Sequence, residues 1–301
     1  MKLSLCCISE ILAERKGFKF ETMTLTRFLS LNRREAIRVL SQRILNNFFV
    51  THQIIKHCHS YGIAGYRLSS SLTPVINHHS VNLRLQDLPD WPDMRDALHR
   101  IANEIKVSGV RISSHPSEYI TLTSQNPDAV TNSVRDLISH AELFDLLDLP
   151  QDYYSPLNIH CRQDGDCEEI SKRFLANYRT LPHNVKSRLV VEVNDNVNGS
   201  WNISNLCKHF FLTSGIPVTY DSLHRQFCNA GTTDEQDFNL AYSTWNTIPL
   251  FHYSEGVDGT RKHADMPTGK PNSYGKDVFF DVELKGKDKA IFELLNLQYH
   301  L

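Results

Sequence analysis

The chain lacks the cysteine pattern of a disulfide framework or of a zinc finger. Its 301 residues include seven cysteines, an odd number, and no two of them are spaced as CxxC. A chain of this length buries about three quarters of the surface that its unfolded state exposes, so it does not need covalent cross-links to fold. We therefore expect reduced thiols and a cytoplasmic protein, because disulfides are rare in the reducing cytosol.

Long hydrophobic runs are also missing. A membrane helix needs about 20 consecutive apolar residues, and no stretch of the sequence approaches that length. The apolar run at the amino terminus is short, ends at Glu10, and is followed by no small-residue cleavage site. We therefore expect this run to form a first β-strand and the protein to be soluble, without a membrane partner.

An excess of charge of one sign is absent too. The 32 Lys and Arg residues and 34 Asp and Glu residues give a net charge of −2, which excludes a surface that is basic throughout but allows a local basic groove. Hydrophobic residues at 41% and charged residues at 22% exclude a disordered or collagenous chain. What the sequence does contain is 15 histidines, and histidine is the commonest metal ligand among side chains.

Short apolar runs recur along the chain, and most of them are continuous rather than alternating. Continuous runs are typical of parallel strands that are covered on both faces. The predicted strands cover residues 3–6, 64–68, 109–112, 157–159, 189–193, 217–220, 249–251 and 278–284. Helical patterns lie between them, at residues 33–57, 126–148, 170–178, 203–213 and 289–299.

Strands that alternate with helices over about 300 residues predict an α/β fold, a (β/α)8 TIM barrel that occupies residues 1–301 as a single domain. The alternative is an open doubly wound sheet. That fold normally carries a glycine-rich phosphate turn, and neither GxGxxG nor GxxxxGK[ST] occurs in the sequence. Residues 69–94, rich in Pro, His and Asn, predict a long loop on the catalytic rim of the barrel or a simple surface insertion.

Polar side chains stand at the ends of seven of the eight predicted strands. A barrel places the carboxyl ends of its strands around one rim, so we expect these side chains to converge there. They are Arg67, His115, His160, Glu192, Asp221 with His224, His252 and Glu283, and His263 follows on the loop after the seventh strand.

Taken singly, each of these residues is typical of a helix cap, an ion pair or a solvated strand end. Together, three carboxylates and five imidazoles on one rim would repel one another and be poorly solvated unless metal ions bound them. Imidazole and carboxylate ligands without thiolate favour zinc, manganese or iron, and so many ligands exceed the coordination shell of one ion. We therefore predict two or three ions, an arrangement that suits phosphoester hydrolysis but also a metal-dependent sugar isomerase.

Eight short motifs coincide with the strand ends. They are YRLSS at 66–70, HPSEY at 115–119, NIH at 158–160, EVND at 192–195, YDSLH at 220–224, FHYS at 251–254, KHAD at 262–265 and DVELKGK at 281–287. In this order, and over nearly the whole chain, they resemble the UV damage endonuclease family, whose (β/α)8 barrel is related to the AP endonucleases of the endonuclease IV type. Each motif alone is weak, whereas their order is specific.

The resemblance implies an enzyme that incises damaged double-stranded DNA immediately 5′ of an ultraviolet photoproduct, a pyrimidine dimer or a 6-4 photoproduct. The products would be a 3′-hydroxyl and a 5′-phosphate. It also implies a manganese site of three ions, whereas the ligand count alone allows two or three ions, with zinc or magnesium as alternatives. We expect the protein to be a monomer.

Residue roles follow from the resemblance position by position. His115, His160 and Glu192 would hold one ion, and His224 and His263 would hold the third. The second ion would be bound by Glu192, which bridges, and by Asp221, His252 and Glu283. The residues expected to act in catalysis are Glu192, His115, Asp221 and Glu283.

The resemblance also places a lesion contact at the rim, and the basic residues around the last ligands predict further contacts with DNA. Tyr119 would probe the lesion, while Glu118 stands where the family often has Gln. Leu250 stands where some members have a lysine, two residues before the histidine of the seventh strand. The remaining expected DNA contacts are Arg67, Arg261, Lys262, Lys285 and Lys287.

Two other enzymes on the same barrel remain as alternatives. An AP endonuclease would carry an acidic residue two positions before His263, where this chain has Arg261. A sugar isomerase would need no basic residues around the last ligands. A barrel that only binds DNA would leave the convergent ligands unexplained.

Overall fold

The strands form a nearly closed parallel barrel, as the sequence predicts. The computed structural model describes residues 1–117 and 119–297. The strands are β1 Lys2–Cys6, β2 Gly65–Leu68, β3 Arg111–Ser114, β4 Leu157–His160, β5 Leu189–Glu192, β6 Val218–Thr219, β7 Leu250–Tyr253 and β8 Phe279–Val282. Their order in the sheet is β6-β5-β4-β3-β2-β1-β8-β7, and all of the pairs between neighbouring strands are parallel.

The barrel closes between β6 and β7 through one short bridge. The His252 amide donates to the Tyr220 carbonyl at 2.9 Å, and the Ser222 amide donates to the His252 carbonyl at 3.2 Å. These bonds pair Asp221 with His252. Closure therefore takes place at two of the predicted ligands.

Helices surround the barrel. They are α1 Glu10–Lys16, α2 Leu25–Ser30, α3 Arg33–Ser60, α4 Trp91–Ser108, α5 Pro127–Leu146, α6 Cys167–Thr180, α7 His183–Lys186, α8 Ile203–Leu206, α9 Leu212–Ser214, α10 His224–Phe227, α11 Asp234–Tyr242 and α12 Asp288–Leu295. A π-helical turn, Cys207–Phe211, joins α8 to α9, and short 3-10 turns cover Leu85–Asp87 and Val257–Gly259. None of the described helices is both long and apolar enough to cross a bilayer.

Three boundaries differ from the sequence prediction, those of a loop, a strand and a helix. The predicted loop 69–94 is too long, because α4 begins at Trp91 with Pro92 in its first turn, where proline favours a helix. The third strand begins at Arg111 rather than at 109, because Gly109 ends α4 with a left-handed φ of 67°. The predicted last helix ends at Leu295, and residues 298–301 lie outside the described part of the chain.

The inside of the barrel is unusually polar. Residues that are paired in the parallel register point to the same side of the sheet. Ser4 pairs with both Gly65 and Asp281, so Ser4 and Asp281 point to the same side. At the amino-terminal end, the Arg111 guanidinium donates to the carbonyls of Tyr154 and Ile248, both at 2.7 Å. Burial lowers the pKa of Arg111 to about 10, so this side chain stays charged at neutral pH while it closes the bottom of the barrel.

We predict that Gly65→Ala destabilises the barrel from within. A Cβ at residue 65 would overlap the Ser4 hydroxyl and would lie 2.9 Å from Ser4 Cβ and 3.2 Å from the Arg111 carbonyl oxygen. Overpacking of this kind costs about 1–3 kcal/mol of unfolding free energy, which urea denaturation measures.

Gly269→Ala is the matched control, because a Cβ there would meet no atom closer than 4.0 Å. It should change the unfolding free energy by less than about 0.5 kcal/mol. Equal stabilities of the two variants would contradict the steric argument.

Candidate metal centre

Glu192, the last residue of β5, lies at the centre of the rim and is fully buried. Its Oε2 is 3.2 Å from His115 Nε2 and 3.7 Å from His160 Nε2. Its Oε1 is 3.0 Å from His224 Nδ1 and 3.1 Å from His252 Nδ1. One carboxylate therefore faces four imidazoles that come from four different strand ends.

Glu283, directly after β8, is a second carboxylate that faces imidazoles of the rim. Its Oε1 lies 3.3 Å from His252 Nδ1, and its Oε2 lies 3.9 Å from His263 Nδ1. Asp221, after β6, is buried, and its Oδ1 accepts the amides of Leu223 at 2.7 Å and His224 at 2.6 Å. These two bonds orient the Asp221 carboxylate and leave Oδ2 for another partner.

All eight predicted ligands come together in overlapping groups of three. In each group, one ligand atom from each residue lies within 4.8 Å of the others. The groups are His115–His160–Glu192, Glu192–Asp221–His224, Asp221–His252–Glu283 and His224–His263–Glu283. Each carboxylate belongs to two groups, which is the arrangement that shared ligands of neighbouring ions require.

Backbone carbonyls orient three of the imidazoles. Nδ1 of His115 lies 3.1 Å from the Pro116 carbonyl oxygen, and Nδ1 of His224 lies 3.2 Å from that of Val193. Nδ1 of His263 lies 2.9 Å from the carbonyl oxygen of Glu283. A proton on Nδ1 satisfies each carbonyl and leaves Nε2 as the ligand atom, the usual second bond of a metal-binding histidine.

Several buried polar atoms at the rim make no well-aligned hydrogen bond within the described part of the chain, even where an ion-pair partner lies as close as 3.0 Å. They are Nδ1 of His160, Oε1 of Glu192, Oδ2 of Asp221 and both ring nitrogens of His252. A buried polar atom without a partner is costly, and coordination to a cation would remove that cost. The donor set therefore fits divalent metal ions.

Burial and charge act against each other at the carboxylates. Burial alone would raise the pKa of Glu192, but the imidazoles of His252 and His160 hold it well below its usual value. Burial would also raise the pKa of Glu283, yet the Arg67 guanidinium and His252 lower it. For Asp221, burial prevails and raises the pKa.

The pKa values of the imidazoles shift in opposite directions. Burial lowers the pKa of His160 to about 4. Burial also opposes a charge on His252 and His224, but Glu192 beside His252 and Asp221 beside His224 raise their pKa values to about 9 and about 11. Without cations, protons on these two rings balance the charge of the carboxylates. With cations bound, the cations would balance that charge, and the two rings would coordinate them in the neutral form.

A cavity of about 720 Å³ opens onto the cluster, lined by His115, His160, His224, His263 and Glu283 among others. Tyr119, on the turn after β3, also lines it and has 82% of its surface exposed. Glu118, its neighbour in the predicted lesion contact, lies outside the described residues. The position of Tyr119 suits a contact with a bound ligand.

The predicted basic contacts divide into exposed and buried residues. Arg261, Lys262 and Lys285 are exposed on the loops after β7 and β8, whereas Lys287 is half-buried with a φ of 52°. Arg67 is buried and its guanidinium contacts Glu283, so it neutralises a predicted ligand while it also lines the cavity above the cluster.

Two buried residues that contact the cluster are missing from the predicted set. Asn158 donates its side-chain amide to Glu192, and Asp281 Oδ2 lies 3.8 Å from both Arg67 Nη1 and His252 Nε2. Asn158 stands two residues before His160, as Asp281 stands two before Glu283. Because side chains two apart share one face of a strand, strand alternation was the signal that would have found them.

Comparison with known proteins gives a consistent result over nearly the whole chain. The sequence profile described as UV-endonuclease UvdE matches residues 1–300. A protein named UV DNA damage endonuclease from Nostoc sp. is 30% identical over 309 residues, which cover 97% of this chain and 89% of that protein. The crystal structure of SacUVDE is similar with a TM-score of 0.80 and 26% identity, over 99% of this chain and 100% of that one.

A more distant likeness concerns the fold alone. The crystal structure of endonuclease IV from Thermus thermophilus has a TM-score of 0.56 and 15% identity, over 82% of this chain and 92% of that one. It agrees with the barrel architecture.

We predict that Mn²⁺ raises the melting temperature of chelator-treated protein. A ligand that binds only the native state adds about 2.7 kcal/mol per site at a hundred times its Kd, which for a chain of this length raises the melting temperature by about 4 °C per site. Thermal unfolding followed by circular dichroism measures the shift. Ca²⁺ is the control, because it prefers sites made of oxygen atoms alone. No shift with Mn²⁺, or an equal shift with Ca²⁺, would contradict the assignment.

Proposed function

The chain belongs to the UV-endonuclease UvdE family, and on this premise we propose that it is a DNA-repair endonuclease. It would hydrolyse the phosphodiester immediately 5′ of an ultraviolet photoproduct, leaving a 3′-hydroxyl and a 5′-phosphate. The observation that carries the proposal is the group of three carboxylates and five imidazoles at one barrel rim. Barrel enzymes place their active sites at this rim.

The ligands suit two or three manganese ions, because imidazole and carboxylate without thiolate match the preferences of that metal. His115, His160 and Glu192 would hold one ion. The second would be held by Glu192, Asp221, His252 and Glu283, and the third by His224 and His263 with Glu283. When bound, such ions supply an activated water and charge stabilisation at the leaving oxygen of a phosphodiester.

The chain's own residues fix the geometry of this site. Arg67 donates to Glu283 Oε1 and Asn158 donates to Glu192 Oε2, and these bonds set the directions in which the two carboxylates point. Glu192, Asp221 and Glu283 together contribute three negative charges. When these three charges are neutralised, the formal net charge of the chain changes from −2 to +1. With the ligand carboxylates neutralised, Arg261, Lys262 and Lys285 at the exposed loops favour a polyanion.

The substrate proposed for this rim is damaged double-stranded DNA. Positive side chains on the loops after β7 and β8 would contact phosphates, which position the duplex without reading its sequence. Tyr119 would supply the contact with the lesion. That the chain is a single domain, is cytoplasmic and acts as a monomer stays a prediction.

The first test maps cleavage of a duplex oligonucleotide that carries one thymine dimer. Manganese-loaded protein should cut it immediately 5′ of the dimer, whereas excess chelator should abolish cutting. Glu192→Gln should also abolish cutting and leave binding of damaged DNA largely intact, because a neutral amide is a poor shared ligand.

A duplex with one abasic site and an undamaged duplex serve as controls for this assay. Cutting of the abasic duplex alone would assign the chain to AP-site incision instead. Full activity in excess chelator, or near-normal cutting by Glu192→Gln, would contradict the metal mechanism.

A second prediction concerns Tyr119. Stacking of an aromatic side chain on a base contributes about 1–3 kcal/mol, and a lesion weakens the stacking that must be broken. Tyr119→Ala should therefore weaken binding to damaged duplex by about tenfold or more. Binding to undamaged duplex depends on phosphate contacts and should change little. Fluorescence anisotropy with both duplexes measures the difference, and an equal loss for both would contradict a role in lesion recognition.

A further inference from the structure

The Glu255 carboxylate accepts several hydrogen bonds from the loop between β7 and β8, residues 254–278. Glu255 lies two residues after β7. Its oxygens accept the Thr268 amide at 2.9 and 3.0 Å, the Thr268 hydroxyl at 2.6 Å and the Gly269 amide at 3.1 Å. The Tyr253 hydroxyl donates to it as well. Burial would raise the pKa of Glu255, but the hydrogen bonds from Thr268 and Tyr253 lower it, so the carboxylate is charged at neutral pH.

The backbone of the same residue anchors the loop at a second point. The Ala264 amide donates to the Glu255 carbonyl at 2.7 Å, and Gly256 forms an antiparallel bridge with His263. The turn between them is tight, because a Cβ at Gly256 would overlap the Thr260 carbonyl oxygen. Glu255 therefore joins three places along the loop, at residues 264, 268 and 269, to the end of β7.

These anchors hold the segment that carries His263, together with the Lys285 and Gly286 amides, which donate to the Ala264 and Asp265 carbonyls at 3.0 and 2.8 Å. His263 is not part of a strand, unlike His160 or His252, so the sheet does not fix its Cα. Its Nδ1 lies 2.9 Å from the Glu283 carbonyl oxygen, and its ring centroid lies 6.3 Å from that of His224. Small movements of the loop would separate His263 from His224 and Glu283.

We propose that Glu255 is a positioning residue that holds the loop so that His263 presents Nε2 to the metal group formed with His224 and Glu283. The inference rests on the proposed function, since it assigns metal binding to that group. It also explains why this half-buried carboxylate accepts hydrogen bonds from four donor groups of Tyr253, Thr268 and Gly269, and from none of the basic residues on the loop. A glutamine at this position would keep the shape, but its NH₂ group cannot accept the Thr268 or Gly269 donors.

The experiment measures Mn²⁺ binding isotherms on metal-free protein in the absence of DNA. The variants are Glu255→Gln, His263→Ala and the double variant, with Glu235→Gln as the control for an exposed carboxylate on α11. We expect Glu255→Gln to weaken one class of site by about 10- to 100-fold and to leave the others unchanged. The double variant should bind no more weakly than His263→Ala, because both changes act on the same ligand.

Thr268→Val, which removes one donor to Glu255 and keeps the side-chain shape, is the second variant. It should weaken the same site several-fold, and it covers the case in which Glu255→Gln does not fold. Unchanged Mn²⁺ affinity in the variants that fold, or additive losses in the double variant, would overturn the proposal. Because no DNA is present, a failure of the incision assay with the unaltered protein would contradict the proposed function without affecting this result.

Discussion

The burial of three carboxylates within one small volume is the constraint on which the rest of the structure depends. Glu192 and Asp221 have no exposed surface, and Glu283 lies beside them. Buried charges are costly unless they are paired, because water no longer screens or solvates them. Five imidazoles and the Arg67 guanidinium surround the carboxylates for this reason, and the same arrangement makes the rim a binding site for cations.

Because the interior of the barrel is polar, most of the apolar burial that stabilises the fold lies between the strands and the surrounding helices. Most TIM barrels fill their interior with branched apolar side chains. Here Ser4, Ser113, Asn158 and Asp281 lie buried beneath the rim, and Arg111 closes the opposite end. Apolar contact must therefore come mainly from the outward faces of the strands, where residues such as Leu5 and Ile159 belong to the core shared with the helices. This separation lets the inside of the barrel serve the site.

Hydrogen bonds between loops make the rim rigid where the ligands stand. Asp164, after β4, accepts the Ser200 amide at 2.8 Å and the Asn196 side-chain amide at 2.7 Å from the loop after β5. The Trp201 indole donates to the Gln163 carbonyl at 2.6 Å across the same two loops. Glu255 has a comparable role after β7. A site that is ordered before substrate binds loses less conformational entropy on binding.

The sequence by itself determined the barrel and the eight residues that meet at its rim, because apolar runs mark parallel strands and parallel strands end on one side. It also carried the ordered motifs that resemble the family, and the comparisons confirm that the chain belongs to that family. Only the tertiary structure decided which ligands share a group, why Arg67 faces Glu283, and how Asn158 and Asp281 support the cluster. These contacts depend on the stagger between strands and on loop paths, which join residues far apart in the chain and leave no local pattern.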